Sequence, residues 1–256
     1  MTELVFRDDA YCAQLDAHVV AVRPWLSPAG ATHAALVLDR SIFYYESGGQ
    51  PGDRGALRWQ DAGGTARTAH VIDTRRDRAS GEILHVLAAG ADAHAATPPA
   101  EGTGVTLSLD WPRRHRHMRF HTALHLVCAA LPGILATGNA IDVDKARIDF
   151  DLSGVEFDRD GTEARLNALI AGQHDVTTHW ISDDELAAQP DLVRTMSVAP
   201  PTGSGRVRLV RVGDRVDLQP CGGTHVRNTG EIGAVRIVKV ENKGRQNRRL
   251  VLQLVE

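Results

Sequence analysis

Hydrophobic residues in the first part of the chain fall into short runs that glycine, proline and aspartate separate. Five such runs, rich in valine, leucine and isoleucine, lie at 18–22, 34–38, 69–72, 82–87 and 105–109. Many short strands with turn residues between them are typical of a small closed β structure. We therefore predict a small N-terminal β-barrel.

The stretch 88–104 is rich in alanine, glycine and proline and lies between the last two of these runs. We interpret it as a mobile hairpin loop within the barrel rather than as a linker between folded units. The boundary between two domains is instead predicted at Asp110, Trp111 and Pro112. This gives a first domain of residues 1–110 and a second domain of residues 111–256.

The pattern becomes helical after this boundary. Apolar side chains recur at helical spacing between 114 and 131, and Pro132 and Gly133 end the segment. A second helix is predicted at 163–171, and strands are predicted at 149–151, 205–210, 233–240 and 249–255. The second domain is therefore predicted to pack helices on an antiparallel sheet, and the whole chain to be of the α+β class.

Composition narrows the classes of protein that remain. With 256 residues, 43% of them hydrophobic, the chain can bury one large core or two smaller ones. A net charge of -3 excludes a surface that is basic throughout, so any nucleic acid would contact a local basic patch. Three cysteines are too few for a disulfide framework and favour the cytoplasm. The acidic N-terminus and the lack of a long apolar segment predict no secretion and no membrane contact, and we expect a monomer.

The strongest chemical signal consists of two separate pairs of metal-ligand residues. His121 and His125 lie one turn apart on the same face of the predicted helix. Much later in the chain, Cys221 and His225 flank a segment with two glycines that can bend around an ion. Each pair alone is a weak signal, but together they supply three nitrogens and one sulfur, a set that suits zinc.

Two other hydrolase classes fit these residues less well. A zinc protease of the His-Glu-x-x-His type needs a glutamate after its first histidine as general base, and that position is Thr122. A thiol hydrolase could use Cys221 as nucleophile and His225 as base, but His121 and His125 would then be unexplained. The metal site is favoured over both.

Longer motifs around these residues resemble one known family. The sequence Leu-Gln-Pro-Cys-Gly-Gly-Thr-His-Val at 218–226 resembles the metal-binding motif of the alanyl-tRNA synthetase editing domain and of its free-standing relatives, the AlaX proteins. The glycine-rich stretch 38–55, Arg-Ile-Asp-Phe at 147–150 and the basic segment 241–249 are similar to further signatures of that family. The resemblance covers nearly the whole chain, with Ser41 where the family usually has threonine. Motifs for aminoacylation and ATP binding do not fit the remaining residues, so the chain resembles the editing unit alone.

The resemblance implies a zinc-dependent esterase that hydrolyses mischarged tRNA(Ala), chiefly Ser-tRNA(Ala) and also Gly-tRNA(Ala). In such an enzyme zinc would either polarise an attacking water or anchor the amino group of the substrate. Two alternatives remain open: a deacylase for another mischarged tRNA such as Ser-tRNA(Thr), and a non-catalytic tRNA-binding module with a structural zinc. The Ser-Gly-Gly-Gln sequence at 47–50 favours the alanyl system.

The same resemblance assigns roles to residues outside the metal pairs. Ser41 is expected to read the hydroxyl of the misplaced serine, with Gln50 nearby, because a pocket that hydrogen-bonds this hydroxyl can reject alanine. The substrate loop is assigned to Gly48, Gly49 and Gly52, which also allow a tight turn. Contacts with tRNA phosphates are assigned to four basic residues of the C-terminal segment, Lys243, Arg245, Arg248 and Arg249.

Overall fold

The computed structural model describes residues 1–89, 97–152, 156–189, 192–193, 205–244 and 247–255. The chain divides into two compact units. The first unit contains Met1–Ser47 and Pro51–Arg114, and the second contains Gly48–Gln50 and His115–Glu256. The short segment Gly48–Gln50 thus groups with residues far along the chain. The domain limit at residue 110 stays a prediction.

The first unit is built from short strands. Their bounds are β1 Glu3–Leu4, β2 Gln14–Leu26, β3 Thr32–Leu38, β4 Arg40–Ser41, β5 Gly55–Gln60, β6 Ala66–Arg76, β7 Ile83–Leu87 and β8 Gly104–Leu109. Six of these strands close into an antiparallel barrel in the order β2, β3, β7, β6, β5, β8, and β2 completes it by pairing with both β3 and β8. The short strands β1 and β4 pair with each other in parallel.

The barrel core follows from the period of two along each strand. On β2, Ala17 and Val19 are buried, whereas His18 and Val20 are exposed. Leucine side chains from the other strands fill the interior, and three that are fully buried are Leu36, Leu57 and Leu107. Burial of this apolar surface supplies the main stabilisation of the first unit.

A buried ion pair fixes the backbone that follows Ser41. The guanidinium of Arg114 is fully buried, and its Nε donates to the Asp53 carboxylate at 2.9 Å. Its Nη2 donates to the carbonyl of Ile42 at 2.7 Å. The Asp53 carboxylate also accepts the backbone N–H of Tyr44 at 2.6 Å. Both members of the ion pair therefore hold the segment 42–44: the guanidinium of Arg114 binds the carbonyl of Ile42, and the carboxylate of Asp53 binds the N–H of Tyr44.

The second unit combines helices with two antiparallel sheets. Its elements are α1 Trp111–Ala130, which begins in the first unit, β9 Ala136–Ile141, β10 Ala146–Asp151, α2 Arg159–Ala171, β11 Val176–Ser182, α3 Asp183–Ala187, β12 Arg206–Val212, β13 Asp217–Pro220, β14 Val235–Lys243 and β15 Asn247–Leu254. One sheet has the order β14, β15, β10, β9, and the other has the order β11, β12, β13.

Helix α2 covers the edge strand of the larger sheet. The Asp158 side chain caps its first turn by accepting the N–H of Gly161 at 2.9 Å. The amide of Asn167 pairs with the backbone of Val235 on β14, at 2.8 Å to the carbonyl and 2.9 Å from the N–H. Glu163 accepts the N–H of Ile237 at 2.7 Å. These contacts satisfy backbone groups that an edge strand would otherwise leave unpaired.

The α+β class and the closed barrel are confirmed, and one connection was predicted wrongly. The strands before and after 88–104 do not form a hairpin, because β7 pairs with β3 and β6, whereas β8 pairs with β2 and β5. Residues 90–96 of that loop lie outside the described residues. Within the described residues, no helix has both the length and the apolar character needed to cross a bilayer.

Candidate metal centre

Four potential metal ligands from distant parts of the chain meet in the second unit. His121 and His125 project from α1, and Cys221 and His225 lie on the segment that follows β13. One ligand atom from each residue lies within 4.8 Å of all the others. The Sγ of Cys221 is 3.4 Å from Nε2 of His121 and 3.3 Å from Nε2 of His225.

The donor set and its spacing fit a tetrahedral zinc ion. With Zn–N bonds of about 2.0 Å and a Zn–S bond of about 2.3 Å, tetrahedral angles place sulfur and nitrogen about 3.5 Å apart. The two Sγ–Nε2 distances, 3.4 and 3.3 Å, are close to this value. The three histidines are also almost completely buried, which protects such a centre from bulk water.

The outward-facing nitrogen of each histidine has its own partner. Nδ1 of His125 lies 3.0 Å from the carboxylate of Asp217, and Nδ1 of His225 lies 3.1 Å from Oγ1 of Thr122. Nδ1 of His121 lies 2.8 Å from Oε1 of Gln50. Since each Nδ1 is held in this way, each Nε2 can present its lone pair to a metal.

Gln50 uses its whole side-chain amide within this centre. The side chain is fully buried. Besides contacting His121, its Oε1 accepts the N–H of Thr224 at 3.2 Å, and its Nε2 donates to Oγ1 of Thr224 at 2.8 Å. Gln50 thus links the ligand helix to the loop that carries the other two ligands.

The ligand loop is held by a buried arginine and needs one of its glycines. Nη1 of Arg208 on β12 donates to the carbonyls of Cys221 and Gly223, both at 2.9 Å. A side chain at Gly223 would overlap the imidazole of His121, so this position requires glycine. Arg208 and Gly223 together bring Cys221 into reach of the helix.

The electrostatics of the centre favour a thiolate. Burial opposes ionisation of Cys221, but electrostatic interaction with the imidazoles of His121 and His225, and hydrogen bonds from His121 and His125, bring its pKa well below the usual range. Burial also disfavours the charged form of His125, yet hydrogen bonds to Asp217 and Cys221 raise its pKa to about 9. Burial, with the neighbouring His121, lowers the pKa of His225 well below its usual range. A bound cation would stabilise the thiolate directly.

Ser41, the predicted reader of serine, lies at the end of β4 in the first unit. It is fully buried, and its Oγ lies 2.7 Å from Nε2 of His85 on β7. Its Oγ also accepts the backbone N–H of Phe43 at 3.0 Å. The role of Ser41 in recognising substrate stays a prediction.

The predicted substrate loop divides between the two units. Gly48 and Gly49 belong with Gln50 to the second unit, where Gly49 has a φ of 83° and its carbonyl accepts the N–H of Ile141 at 2.8 Å. A side chain at Gly49 would overlap Asn139. Gly52 belongs to the first unit, where its Cα lies against the backbone of Thr74.

The basic segment forms the hairpin of β14 and β15. Lys243 pairs with Glu241 at 3.0 Å, and Arg249 makes two hydrogen bonds to Asp149, at 2.7 and 2.8 Å. Arg248 is partly buried at the start of β15. Arg245 lies outside the described residues.

Three residues that hold the centre were missed at the level of sequence: Thr122, Asp217 and Arg208. Thr122 replaces the glutamate of a zinc protease, and its position next to His121 on the ligand helix is the signal that could have indicated it. Asp217 lies four residues before Cys221, and an acid this close to a metal-ligand motif is a local signal that could have indicated it. Arg208 carries no local signal, because the carbonyls that it contacts, those of Cys221 and Gly223, lie 13 and 15 positions later in the chain.

Comparison with known proteins defines the class to which this site belongs. Residues 207–251, which include Cys221 and His225, match the family model described as the threonyl and alanyl tRNA synthetase second additional domain. The chain is 34% identical over 260 residues to the alanyl-tRNA editing protein AlaX-M of Methanosarcina acetivorans, with all of both chains covered.

Longer proteins contain a similar segment. The chain is 33% identical to AlaX-L of Pyrococcus horikoshii, with 96% of this chain and 56% of that protein covered. It is 33% identical to the alanine–tRNA ligase of Halobacterium salinarum, with 94% of this chain and 24% of that protein covered. The chain belongs to the family of alanyl-tRNA editing proteins.

Proposed function

We propose that this protein is an aminoacyl-tRNA deacylase that hydrolyses the aminoacyl ester of mischarged tRNA(Ala), chiefly Ser-tRNA(Ala) and also Gly-tRNA(Ala). The observation that carries the proposal is the buried cluster of His121, His125, Cys221 and His225 in a chain similar from end to end to an alanyl-tRNA editing protein. The family model, which covers domains of both threonyl and alanyl synthetases, supports action on an aminoacyl-tRNA.

These four residues would hold zinc through Nε2 of each histidine and Sγ of the cysteine. Zinc supplies a Lewis acid that polarises water or a carbonyl oxygen beside the ester. The chain's own contribution is to keep the ligands oriented: Asp217, Gln50 and Thr122 each hold the Nδ1 of one histidine. Partners of this kind fix the tautomer of a ligating imidazole and increase its basicity.

Selectivity follows from hydrogen bonding. An apolar pocket cannot reject serine for an added hydroxyl, whereas a polar group that pairs with that hydroxyl can favour serine over alanine by about 10⁴. Ser41 is the residue assigned this role. Gln50, proposed to lie close to the substrate, would act through His121 and the ligand loop, since its amide is already paired there.

The C-terminal hairpin is the proposed contact for tRNA phosphates. Lys243, Arg248 and Arg249 place positive charge on β14 and β15. Guanidinium and ammonium groups bind phosphate oxygens and release counterions when they do so. Gly48, Gly49 and Gly52 are proposed to form the loop that approaches the substrate.

A deacylation assay tests the function. Purified protein is incubated with Ser-, Gly- and Ala-tRNA(Ala) and with Ser-tRNA(Thr), with and without a zinc chelator. We expect fast hydrolysis of Ser-tRNA(Ala), slower hydrolysis of Gly-tRNA(Ala), little hydrolysis of Ala-tRNA(Ala) and loss of activity in chelator. Preference for Ser-tRNA(Thr) would assign the protein to the threonyl system, and tRNA binding without any hydrolysis would make it a non-catalytic module.

Metal analysis of the same preparation tests the cofactor. We expect one zinc ion per chain, and we expect Cys221→Ala to weaken zinc binding because a thiolate ligand is lost. Cys12→Ala is the matched control, since the Sγ of Cys12 contacts the carbonyl of Gln14 in the first unit. Protein purified without chelator that contains no divalent metal would contradict the zinc assignment.

A further inference from the structure

A fully buried histidine outside the candidate metal centre, His85 of the barrel strand β7, lies beside Ser41. Both Ser41 and His85 are fully buried, and Oγ of Ser41 lies 2.7 Å from Nε2 of His85. The other ring nitrogen of His85, Nδ1, lies 2.9 Å from the carbonyl oxygen of Leu36 on β3. His85 on β7 is therefore held at both ring nitrogens, by the barrel strand β3 and by the short strand β4.

These contacts determine which atom carries each proton. The carbonyl of Leu36 can only accept, so Nδ1 of His85 must carry a hydrogen and donate it. In a neutral ring Nε2 then has a lone pair, and the hydrogen that lies between Nε2 and Ser41 must come from the serine hydroxyl. Burial supports the neutral ring, because it lowers the pKa of His85 to about 4.

The remaining capacity of the Ser41 hydroxyl follows from this assignment. Its hydrogen is committed to His85, and one of its lone pairs accepts the N–H of Phe43 at 3.0 Å. Within the described part of the chain, this leaves Oγ with one lone pair. Toward any further group Ser41 can therefore act as a hydrogen-bond acceptor and not as a donor.

We propose that His85 is a positioning residue for specificity, which holds the Ser41 hydroxyl as an acceptor so that it pairs with a substrate hydroxyl that donates. The inference rests on the proposed function, in which Ser41 reads the seryl side chain. A seryl hydroxyl can donate to such an acceptor, whereas the methyl of alanine and the hydrogen of glycine cannot. Without His85 the Ser41 hydroxyl could rotate and donate elsewhere, and its polarity would no longer be fixed.

The test combines His85→Asn with Ser41→Ala and the double variant. An asparagine amide can still donate to the carbonyl of Leu36, but it is too short to reach Ser41. His33→Asn is the matched control, because Nδ1 of His33 also contacts a barrel carbonyl, that of Leu87 at 3.0 Å. Zinc content and thermal unfolding are measured for every variant.

For His85→Asn we expect kcat/KM on Ser-tRNA(Ala) to fall about tenfold, with a smaller loss on Gly-tRNA(Ala), because one hydrogen bond to the substrate is lost. In a protein that already carries Ser41→Ala, adding His85→Asn should not further lower the ratio of kcat/KM on Ser-tRNA(Ala) to kcat/KM on Gly-tRNA(Ala). Equal losses on both substrates, or the same loss of preference with and without Ser41, would overturn the proposal. If the wild-type protein hydrolyses neither substrate, the proposed function fails instead.

A spectroscopic measurement on the wild-type zinc protein tests the pairing without relying on activity or on the folding of the His85 variant. With ¹⁵N-labelled histidine rings, His85 should give the couplings of the tautomer protonated at Nδ1. Its Nε2 chemical shift should move in Ser41→Ala, because the donor to that nitrogen is removed, and should not move in His33→Asn. A His85 ring protonated at Nε2, or an Nε2 chemical shift that is the same in the wild type and in Ser41→Ala, would contradict the assignment.

Discussion

The carboxylate of Asp217 lies 3.0 Å from Nδ1 of His125, and both side chains are buried. Asp217 is on β13, four residues before Cys221, whereas His125 is on the helix α1. The acid thus connects the helix that carries two ligands with the strand that leads into the other two.

We expect Asp217→Asn to weaken zinc binding by about tenfold to a hundredfold, because an amide cannot supply the negative charge that increases the basicity of His125. Competition with a chromogenic chelator measures the affinity. Asp214→Asn is the control, since Asp214 is exposed in the turn before the same strand. Equal affinities in the two variants would contradict this role of Asp217.

Substitution of the two arginines at the start of β15, Arg248 and Arg249, should give different effects on tRNA binding and stability. Arg248→Ala should weaken tRNA binding and reduce the slope of log K against log salt by about one, because one phosphate contact is lost. Arg249→Ala should also lower the melting temperature, since Arg249 makes two hydrogen bonds to Asp149 at 2.7 and 2.8 Å. Filter binding over a salt series and thermal unfolding measure the two effects.

Arg23→Ala is the control for this comparison. Arg23 forms an ion pair with Glu82 on the surface of the barrel at 3.0 Å, so its removal changes the net charge by the same amount. We expect its tRNA salt slope to match the wild type. If Arg248→Ala gives the same slope as Arg23→Ala, the hairpin does not contact phosphates.

The ion pair between Asp53 and Arg114 should be sensitive to loss of one partner. Asp53→Asn leaves the guanidinium of Arg114 without its counter-charge in the core, a change that typically costs about 3–5 kcal/mol of unfolding free energy. Urea unfolding followed by circular dichroism measures it. Glu82→Gln, which breaks the exposed pair with Arg23, should have a much smaller effect. Similar losses of unfolding free energy in Asp53→Asn and Glu82→Gln would show that the buried ion pair contributes no more to stability than the exposed one.

Acid should destabilise the barrel through His85. In the unfolded chain a histidine takes up a proton near pH 6.5, whereas burial lowers the pKa of His85 in the folded protein to about 4. Between these values the unfolded state binds more protons, so the unfolding free energy falls as the pH falls. The stabilisation, in full above pH 6.5, should decrease by about 3 kcal/mol by pH 4.

Urea unfolding of the wild type and of His85→Asn between pH 7 and pH 4.5 measures this contribution. Other titrating groups contribute to both proteins and cancel in the difference. The two curves should converge toward low pH as the wild type loses its extra stability. Parallel curves would show that His85 titrates alike in the folded and unfolded chains.

Local patterns predicted most of the elements. All five apolar runs of the first domain form barrel strands. Each run contains valine, leucine or isoleucine, whose side chains pack well on a sheet that is buried on one face. The strand β5, Gly55–Gln60, was missed, since it contains a glycine, an arginine and a glutamine and alternates only over its last four residues. The hairpin across 88–104 was wrong because strand order in a closed barrel depends on partners far apart in sequence.

In the candidate site too, local patterns could be predicted from the sequence, whereas contacts between distant residues could not. Two pairs of ligands were visible because each lies within one turn or one loop. The contact of Gln50 with Thr224 spans 174 positions, and that of Ser41 with His85 spans 44, so no local pattern could predict either. Ser41 was assigned by resemblance, and its buried partner became apparent from the structure alone.

The grouping of Gly48–Gln50 with the second unit has a consequence for synthesis of the protein. Gln50 leaves the ribosome long before its partner Thr224, so its hydrogen bond with that residue can form only after most of the remaining chain has been made. The metal centre can be completed only after Cys221 and His225 have also emerged. A nascent chain that has finished its barrel therefore still lacks the four-residue cluster, and any metal that the cluster binds could be acquired only near the end of its maturation.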